Sequence, residues 1–99
     1  VCGSSGEAAL LDERERAIVI ETARAAVPAD RWLLAGIGGE STRGTIARAR
    51  DAATRGADAA LVVAPHYFGP RMTENALRAH FTAVADASPV PVLLYNIPV

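Results

Sequence analysis

Gly56-Ala57-Asp58-Ala59-Ala60-Leu61-Val62-Val63-Ala64 is the stretch that decides the fold. Gly56 suits the position just past a helix end, because glycine enters the left-handed conformation without a Cβ penalty. The apolar run at 59–64 does not alternate with polar residues, which is typical of a strand buried on both faces of a parallel sheet. The stretch therefore predicts a helix that returns directly into a buried parallel strand.

The same order of elements repeats along the rest of the chain. Apolar spacing of helical period and the capping residues Asp12, Ser41 and Thr73 predict three helices, with Glu15 completing a capping box. Strand-like runs lie between them at intervals of about 30 residues, which suits right-handed βαβ crossovers. The sequence therefore predicts an α/β fold with parallel strands. Helices are expected at 12–26, 42–55 and 74–87, and strands at 1–2, 32–35, 59–64 and 92–95.

Each predicted helix has a face on which small or apolar residues recur. These faces are Ile18, Thr22 and Ala25 in the first helix, Ile46, Ala49 and Ala53 in the second, and Leu77, Phe81 and Val84 in the third.

Composition excludes several functional classes. The net charge of −1, with arginine as the only basic residue type besides histidine, gives no electrostatic basis for binding nucleic acid or an anionic membrane. The single cysteine, Cys2, permits no internal disulfide and no thiolate metal cluster. No apolar run approaches the ~20 residues that span a bilayer, and no signal peptide is visible. We expect one cytoplasmic domain over residues 1–99, and its abrupt ends suggest a piece of a longer chain.

The unusual residues follow the strands. Gly3-Ser4-Ser5-Gly6-Glu7 combines flexible backbone with two hydroxyls, which favours a small cradle for a carboxylate or phosphate; a plain turn is the alternative. Tyr67 lies in the loop after the third strand, and Tyr95 ends the fourth. A phenol there can donate or relay a proton, although a loop plug and a structural rim tyrosine remain alternatives.

Two other patterns are weaker. Gly36-Ile37-Gly38-Gly39 partly matches a dinucleotide-binding turn, but Ser41 replaces its third glycine, and Asp58 precedes a strand instead of ending one. His66, His80 and Cys2 do not form a set of metal ligands, and His80 is expected to be a surface or packing residue. We expect no metal and no cofactor.

Three motifs together carry a resemblance to a known family. Gly3-Ser4-Ser5-Gly6-Glu7, then Gly56–Ala60 leading to Pro65-His66-Tyr67, and then Leu94-Tyr95-Asn96-Ile97-Pro98 stand in the order and spacing of the dihydrodipicolinate synthase / N-acetylneuraminate lyase family. These are pyruvate-dependent class I aldolases on a (β/α)8 TIM barrel. Further stretches resemble the 4-hydroxy-2-oxoglutarate aldolase branch, namely Leu34-Ala35-Gly36, Glu40-Ser41-Thr42, Arg71-Met72 and Val84-Ala85-Asp86-Ala87-Ser88-Pro89.

The resemblance implies a role for this chain within a Schiff-base lyase or synthase. It would supply about the second to fifth strands of the barrel, with Ser4, Ser5 and Gly6 binding the carboxylate of pyruvate. Ser4 would also join a proton relay in which Tyr95 is the main shuttle, and Tyr67 would cross a dimer interface to complete a neighbour's relay. His66 stands where the family often has tyrosine.

The resemblance also implies what must come from outside these residues. The partners would be pyruvate, an aldehyde and further copies of the chain, as a homotetramer built as a dimer of dimers. The Schiff-base lysine would lie beyond Val99, since the sequence contains no lysine. A nucleotide-binding α/β module and a non-catalytic half-barrel that acts as an assembly unit remain alternatives.

Overall fold

Helices and parallel strands alternate along the chain, as predicted. The computed structural model describes residues 1–97, and its three strands form one parallel sheet in the order β1-β2-β3. No helix within this range is long and apolar enough to cross a membrane. The elements are α1 (Glu13–Ala26), β1 (Leu34–Gly36), α2 (Thr42–Thr54), β2 (Ala59–Val63), α3 (Glu74–Ala87) and β3 (Val92–Tyr95).

A short segment at the start of the chain extends the sheet on the β1 side. The Val1 nitrogen donates to the Leu34 carbonyl oxygen at 2.7 Å, and the Gly36 N–H donates to the Val1 carbonyl oxygen at 2.9 Å. These two bonds flank Ala35 in the pattern of a parallel pair. The strand predicted at residues 1–2 is therefore a paired segment beside β1.

Glycine is required at position 36 because two backbones meet there. A Cβ built on Gly36 would lie 2.0 Å from the carbonyl oxygen of Cys2 and 2.7 Å from its carbonyl carbon. Both are backbone atoms, so no side-chain rotation could relieve the overlap. Gly36 thus allows the segment before Ser4 to lie directly against β1.

The predicted helix caps are confirmed, and the helix bounds differ from the predicted ones by at most one residue. Asp12 accepts from the Glu15 N–H at 2.8 Å while Glu15 accepts from the Asp12 N–H at 2.9 Å, which completes the capping box of α1. Ser41 and Thr73 cap α2 and α3. Gly56, just after the end of α2, has φ of +99° and therefore adopts the left-handed conformation predicted for it.

The core lies between the sheet and the helices and consists largely of small residues. Ala35, Ala49, Ala60, Val62 and Val84 are completely buried. Alanines at facing positions let α2 approach the strands closely, and each fully buried valine contributes on the order of 1.5–3 kcal/mol relative to exposure. Because the helices pack closely on the strands, the loops that follow the strands leave the sheet in fixed directions.

The face predicted for α1 is wrong. Ile18 is 51% exposed and Thr22 and Ala25 are also exposed, whereas Arg16, Ala17 and Ile20 are buried. The apolar pattern missed this face because an arginine occupies one of its buried positions. The guanidinium of Arg16 donates hydrogen bonds to carbonyl groups, which allows it to be buried, and the spacing of apolar residues cannot reveal such bonds.

Two apolar residues near the sheet edge have a larger exposed fraction than the apolar stretches that contain them predict. Trp32 was predicted inside a buried strand, but it precedes β1 and is 68% exposed. It follows a turn closed by the bond from the Arg31 N–H to the Pro28 oxygen, before strand pairing begins. Leu94 in β3 is 63% exposed, because β3 is the outer strand of the described sheet.

Candidate active site

The loops that follow the strands surround one cavity of about 780 Å³. Ser4 comes from the loop after the Val1–Cys2 segment, Tyr67 from the loop after β2, and Tyr95 from the end of β3. The carboxyl ends of parallel strands meet at the same edge of a sheet, which explains why residues far apart in sequence share this space. Ser5 and Gly6 are exposed and do not contribute to the lining.

A tight turn presents Ser4 to the cavity. Residues Ser4–Gly6 form a single 3₁₀ turn in which the Gly6 N–H donates to the Gly3 oxygen at 3.1 Å and the Glu7 N–H to the Ser4 oxygen at 3.0 Å. Glu7 itself has φ of +54°, a left-handed conformation that ends the turn. Within residues 1–97, the N–H groups of Ser4 and Ser5 and both hydroxyls donate no hydrogen bond. The turn therefore offers the N–H group and hydroxyl of Ser4 to an anion in the cavity, while the free donors of Ser5 lie outside its lining.

The two tyrosines differ in their surroundings. Tyr95 is half-buried at the end of β3, where it pairs in register with Val63 of β2. Tyr67 is 77% exposed, and its ring meets that of Phe68 edge to face with centroids 5.0 Å apart. Tyr95 is thus fixed by the sheet, whereas Tyr67 depends on its loop for its position.

Arg16 is a cavity residue that the sequence did not reveal. Its side chain, only 5% exposed, donates to the Ala8 carbonyl oxygen at 3.2 Å and to that of Gly36. Burial, assisted by repulsion from Arg48, lowers the pKa of Arg16. Arg16 therefore ties the loop that carries Ser4 to β1 and adds positive charge to the cavity wall.

Arg48 reinforces the same wall from α2. It donates to the Gly38 carbonyl oxygen at 2.7 Å and, through Nε, to the Glu13 carboxylate at 2.8 Å. The cavity is thereby lined by two guanidinium groups and by the carboxylate of Glu40. The charge of Arg48 is offset by its Glu13 partner, so the positive charge of this wall comes from Arg16, whose guanidinium bonds carbonyl groups.

Glu40 connects two of the loops that line the cavity. Its Oε2 accepts from the N–H groups of His66 at 3.0 Å and Tyr67 at 2.8 Å, and its Oε1 lies 3.2 Å from Nδ1 of His66. No periodic pattern pointed to this residue. The available signals were its position in the loop after a strand, directly before the helix cap, and its place in the Glu40-Ser41-Thr42 stretch of the family resemblance.

A second groove, of about 820 Å³, lies between α1 and α2 and shares Gly39, Glu40 and Arg48 with the lining of the first cavity. Two of its three arginines are paired with carboxylates, Arg48 with Glu13 and Arg55 with Asp51 at 2.7 Å. None of the predicted site residues contributes to it. The groove therefore offers no competing assignment for the site.

The weaker sequence patterns find structural explanations. Asp58 accepts from the Leu33 N–H at 2.7 Å and from Arg24 at 3.0 Å, at the amino end of β2 and thus at the opposite edge of the sheet from Gly38. The Leu33 bond, followed by Arg24, lowers the pKa of Asp58. A ribose-binding role for this acid does not fit its position. His80 packs between helices, its Nδ1 2.9 Å from the Thr42 hydroxyl.

No three potential ligand side chains cluster into a metal site in the part of the chain that the structure describes.

Comparison with known proteins identifies the family. The family model described as "Dihydrodipicolinate synthetase family" matches residues 1–99. The chain is 43% identical over 99 residues to a 4-hydroxy-tetrahydrodipicolinate synthase of Synechococcus sp. (strain CC9605), covering 99% of this chain and 32% of that protein. It is 44% identical over 102 residues to the "Probable 4-hydroxy-2-oxoglutarate aldolase, mitochondrial" of Emericella nidulans, covering 99% and 33%.

A solved structure is similar over nearly the whole segment. The chloride-inhibited dihydrodipicolinate synthase from Acinetobacter baumannii, complexed with pyruvate, superimposes with a TM-score of 0.92 and 38% identity, covering 98% of this chain and 33% of that one. The chain thus spans about a third of the length of the curated relatives it matches. Since the model matches all 99 residues, the chain belongs to the dihydrodipicolinate synthetase family.

Proposed function

We propose that this segment is part of a Schiff-base-forming, pyruvate-dependent lyase or synthase that acts on carbon–carbon bonds. The observation that carries the proposal is the single cavity shared by Ser4, Tyr67 and Tyr95 in a chain of this family. The pyruvate named in the Acinetobacter structure supports a 2-oxo acid as substrate. On this proposal the segment forms the second to fifth strands of a (β/α)8 barrel that the rest of a longer polypeptide completes.

The turn at Ser4 would hold the carboxylate of pyruvate. Its free donors are the N–H groups and hydroxyls of Ser4 and Ser5, and a carboxylate accepts several such bonds at once. The Gly6 N–H already donates to Gly3, so Gly6 would contribute the shape of the turn. Arg16, whose guanidinium bonds carbonyl groups, would add a favourable field without contacting the substrate.

The tyrosines would move protons during formation and use of the imine. A lysine amine adds to the carbonyl carbon of pyruvate, the resulting hydroxyl leaves as water after accepting a proton, and an iminium remains. Loss of a methyl proton gives an enamine whose carbon attacks the aldehyde, and the new alkoxide accepts a proton; cleavage is the reverse. Tyr95, fixed at the end of β3, is suited to deliver and recover these protons, with Ser4 of the same chain and Tyr67 of a second copy as relay partners. The lysine must come from outside this sequence.

Tyr67 would act across an interface with a second copy. It is 77% exposed and the neighbouring Phe68 is 61% exposed, so the two rings form an aromatic protrusion at the mouth of the cavity. Large exposed aromatic side chains are common anchors of protein interfaces. This supports a homo-oligomer, which we propose to be a dimer of dimers.

The identity of the aldehyde is a separate question. The Synechococcus synthase and the Emericella aldolase are almost equally similar to the chain, so the comparison of these two relatives does not decide between the branches.

Trapping with borohydride tests the proposal directly. A polypeptide of the relatives' length that contains this sequence is incubated with pyruvate and sodium borohydride, which reduces an iminium to a stable amine. We expect mass spectrometry to find one modified lysine per chain. Lactate, which has the same carboxylate but no carbonyl, is the matched control and should give no adduct. Absence of an adduct with pyruvate would reject the proposed chemistry.

A further inference from the structure

The loop that carries Tyr67 has little packing to hold it. Its own hydrogen bonds are local, from the Gly69 N–H to the His66 oxygen at 2.9 Å and from the Arg71 N–H to the Phe68 oxygen at 2.8 Å. These bonds shape the turn but do not attach it to the rest of the molecule. The rings of Tyr67 and Phe68 bury little surface, so packing contributes little to where the loop lies.

One side chain attaches this loop to the neighbouring strand end. Glu40 follows β1, and a single carboxylate oxygen accepts from the N–H groups of both His66 and Tyr67, at 3.0 and 2.8 Å. Within residues 1–97, it is the only side chain that bonds the backbone of either residue. Bonds to a charged acceptor are stronger than those to a neutral one.

We propose that Glu40 is a positioning residue for Tyr67. This inference rests on the proposed function, because Glu40 would affect turnover through the proposed relay role of Tyr67. Glu40 sits at a fixed point, between the end of β1 and the Ser41 cap of α2, and its carboxylate transmits that position to the backbone of Tyr67. Without it, Tyr67 remains on the chain, but its backbone is no longer held where its ring can join the relay of a second copy.

Two variants distinguish the loss of the hydrogen-bond acceptor at position 40 from a change of side chain that keeps an acceptor. Glu40→Ala removes the acceptor, whereas Glu40→Gln keeps an amide oxygen that can accept from both N–H groups. Glu74→Ala is the matched control, since Glu74 is an exposed carboxylate whose one ion pair within residues 1–97 is with Arg78 on its own helix. The host is the polypeptide of the relatives' length, and active sites are counted by borohydride trapping of pyruvate.

Turnover per trapped site is the functional measurement. We expect Glu40→Ala to lower kcat by about 10–100-fold with little change in the KM for pyruvate, because Tyr67 lies outside the carboxylate cradle. Glu40→Gln should recover most of this loss, and Glu74→Ala should match the parent. A merely destabilising change would instead reduce the number of trapped sites.

Amide hydrogen exchange measures the contact independently of chemistry. In Glu40→Ala, the peptide that contains His66 and Tyr67 should exchange roughly five- to tenfold faster, with little change in Glu40→Gln. Unchanged exchange in Glu40→Ala would overturn the inference whatever the kinetics show.

A double-mutant cycle identifies the route of the effect. If Glu40 acts through Tyr67, adding Glu40→Ala to Tyr67→Phe should change kcat by no more than about twofold. Multiplicative losses would overturn the inference. Full activity of Tyr67→Phe with normal trapping would remove both the relay role of Tyr67 and this inference. Failure to trap any adduct would reject the proposed function itself, while hydrogen exchange would still decide whether Glu40 holds the loop.

Discussion

Replacing Gly36 with alanine should loosen the loop that carries Ser4. The new Cβ would lie 2.0 Å from the Cys2 carbonyl oxygen, a full ångström inside the 3.0 Å that real Cβ contacts respect. Because the opposing atoms belong to the backbone, the Val1–Cys2 segment must move away from β1. Both of its hydrogen bonds to β1, through the Leu34 oxygen and the Gly36 N–H, would then be broken or stretched.

The expected cost follows from what that movement disrupts. Two hydrogen bonds contribute about 0.5–1.5 kcal/mol each, and partial exposure of Cys2, now 6% exposed, adds about 1 kcal/mol. We therefore expect Gly36→Ala to lower the free energy of unfolding by about 2–4 kcal/mol. Pyruvate binding should weaken as well, since Ser4 lies two residues after the displaced Cys2.

Urea denaturation of the polypeptide of the relatives' length, at fixed protein concentration, measures this difference. Gly3→Ala is the control for stability, because a Cβ on Gly3 would meet nothing within 4 Å and its φ of −87° suits alanine. It should change the free energy of unfolding by no more than about 0.5 kcal/mol. Equal stability of the Gly36→Ala and Gly3→Ala variants would refute the claim that close backbone approach requires glycine at position 36.

Three further changes test other parts of the structure. Tyr95→Phe should reduce turnover by about 10²–10⁴-fold in steady-state assays, and unchanged turnover would exclude Tyr95 as the proton shuttle. Burial lowers the pKa of His80 below its ordinary 6.5, so the unfolded chain binds a proton more readily than the folded one. Stability should therefore be complete above about pH 6.5 and fall as the pH drops towards 5, and urea midpoints of a His80→Gln variant should lack this decline. Gly56→Ala should cost about 1–3 kcal/mol in urea denaturation, because its φ is +99° and a Cβ would lie 2.7 Å from Cδ of Arg24; wild-type stability would contradict this.

Features encoded by neighbouring residues could be predicted from the sequence. The capping box at Asp12, the caps at Ser41 and Thr73, and the left-handed Gly56 each depend on a few adjacent positions. The shared cavity followed from one further rule, that loops after parallel strands converge at one edge. That rule was enough to place Ser4, Tyr67 and Tyr95 around one space.

Features that depend on backbone partners far along the chain could not be predicted from the sequence. Arg16 bonds the carbonyl groups of Ala8 and Gly36, and Glu40 bonds the N–H groups of His66 and Tyr67. Every residue type has a backbone carbonyl group and all but proline have an N–H group, so no pairing of side chains in the sequence marks these contacts. The buried face of α1 was not predicted for the same reason. Arg16 is buried because it bonds backbone carbonyl groups, and the composition of the sequence does not show such bonds.

The order of the strands has a consequence for how the chain acquires its structure. Each strand lies beside its nearest neighbour in the sequence, so every closure of the sheet spans a single βα unit. Such an arrangement keeps contact order low for a parallel sheet and lets each strand dock on the preceding one as the polypeptide emerges from the ribosome. The binding loop at Ser4 would then gain its support from β1 before the strand that carries Tyr95 has been synthesised.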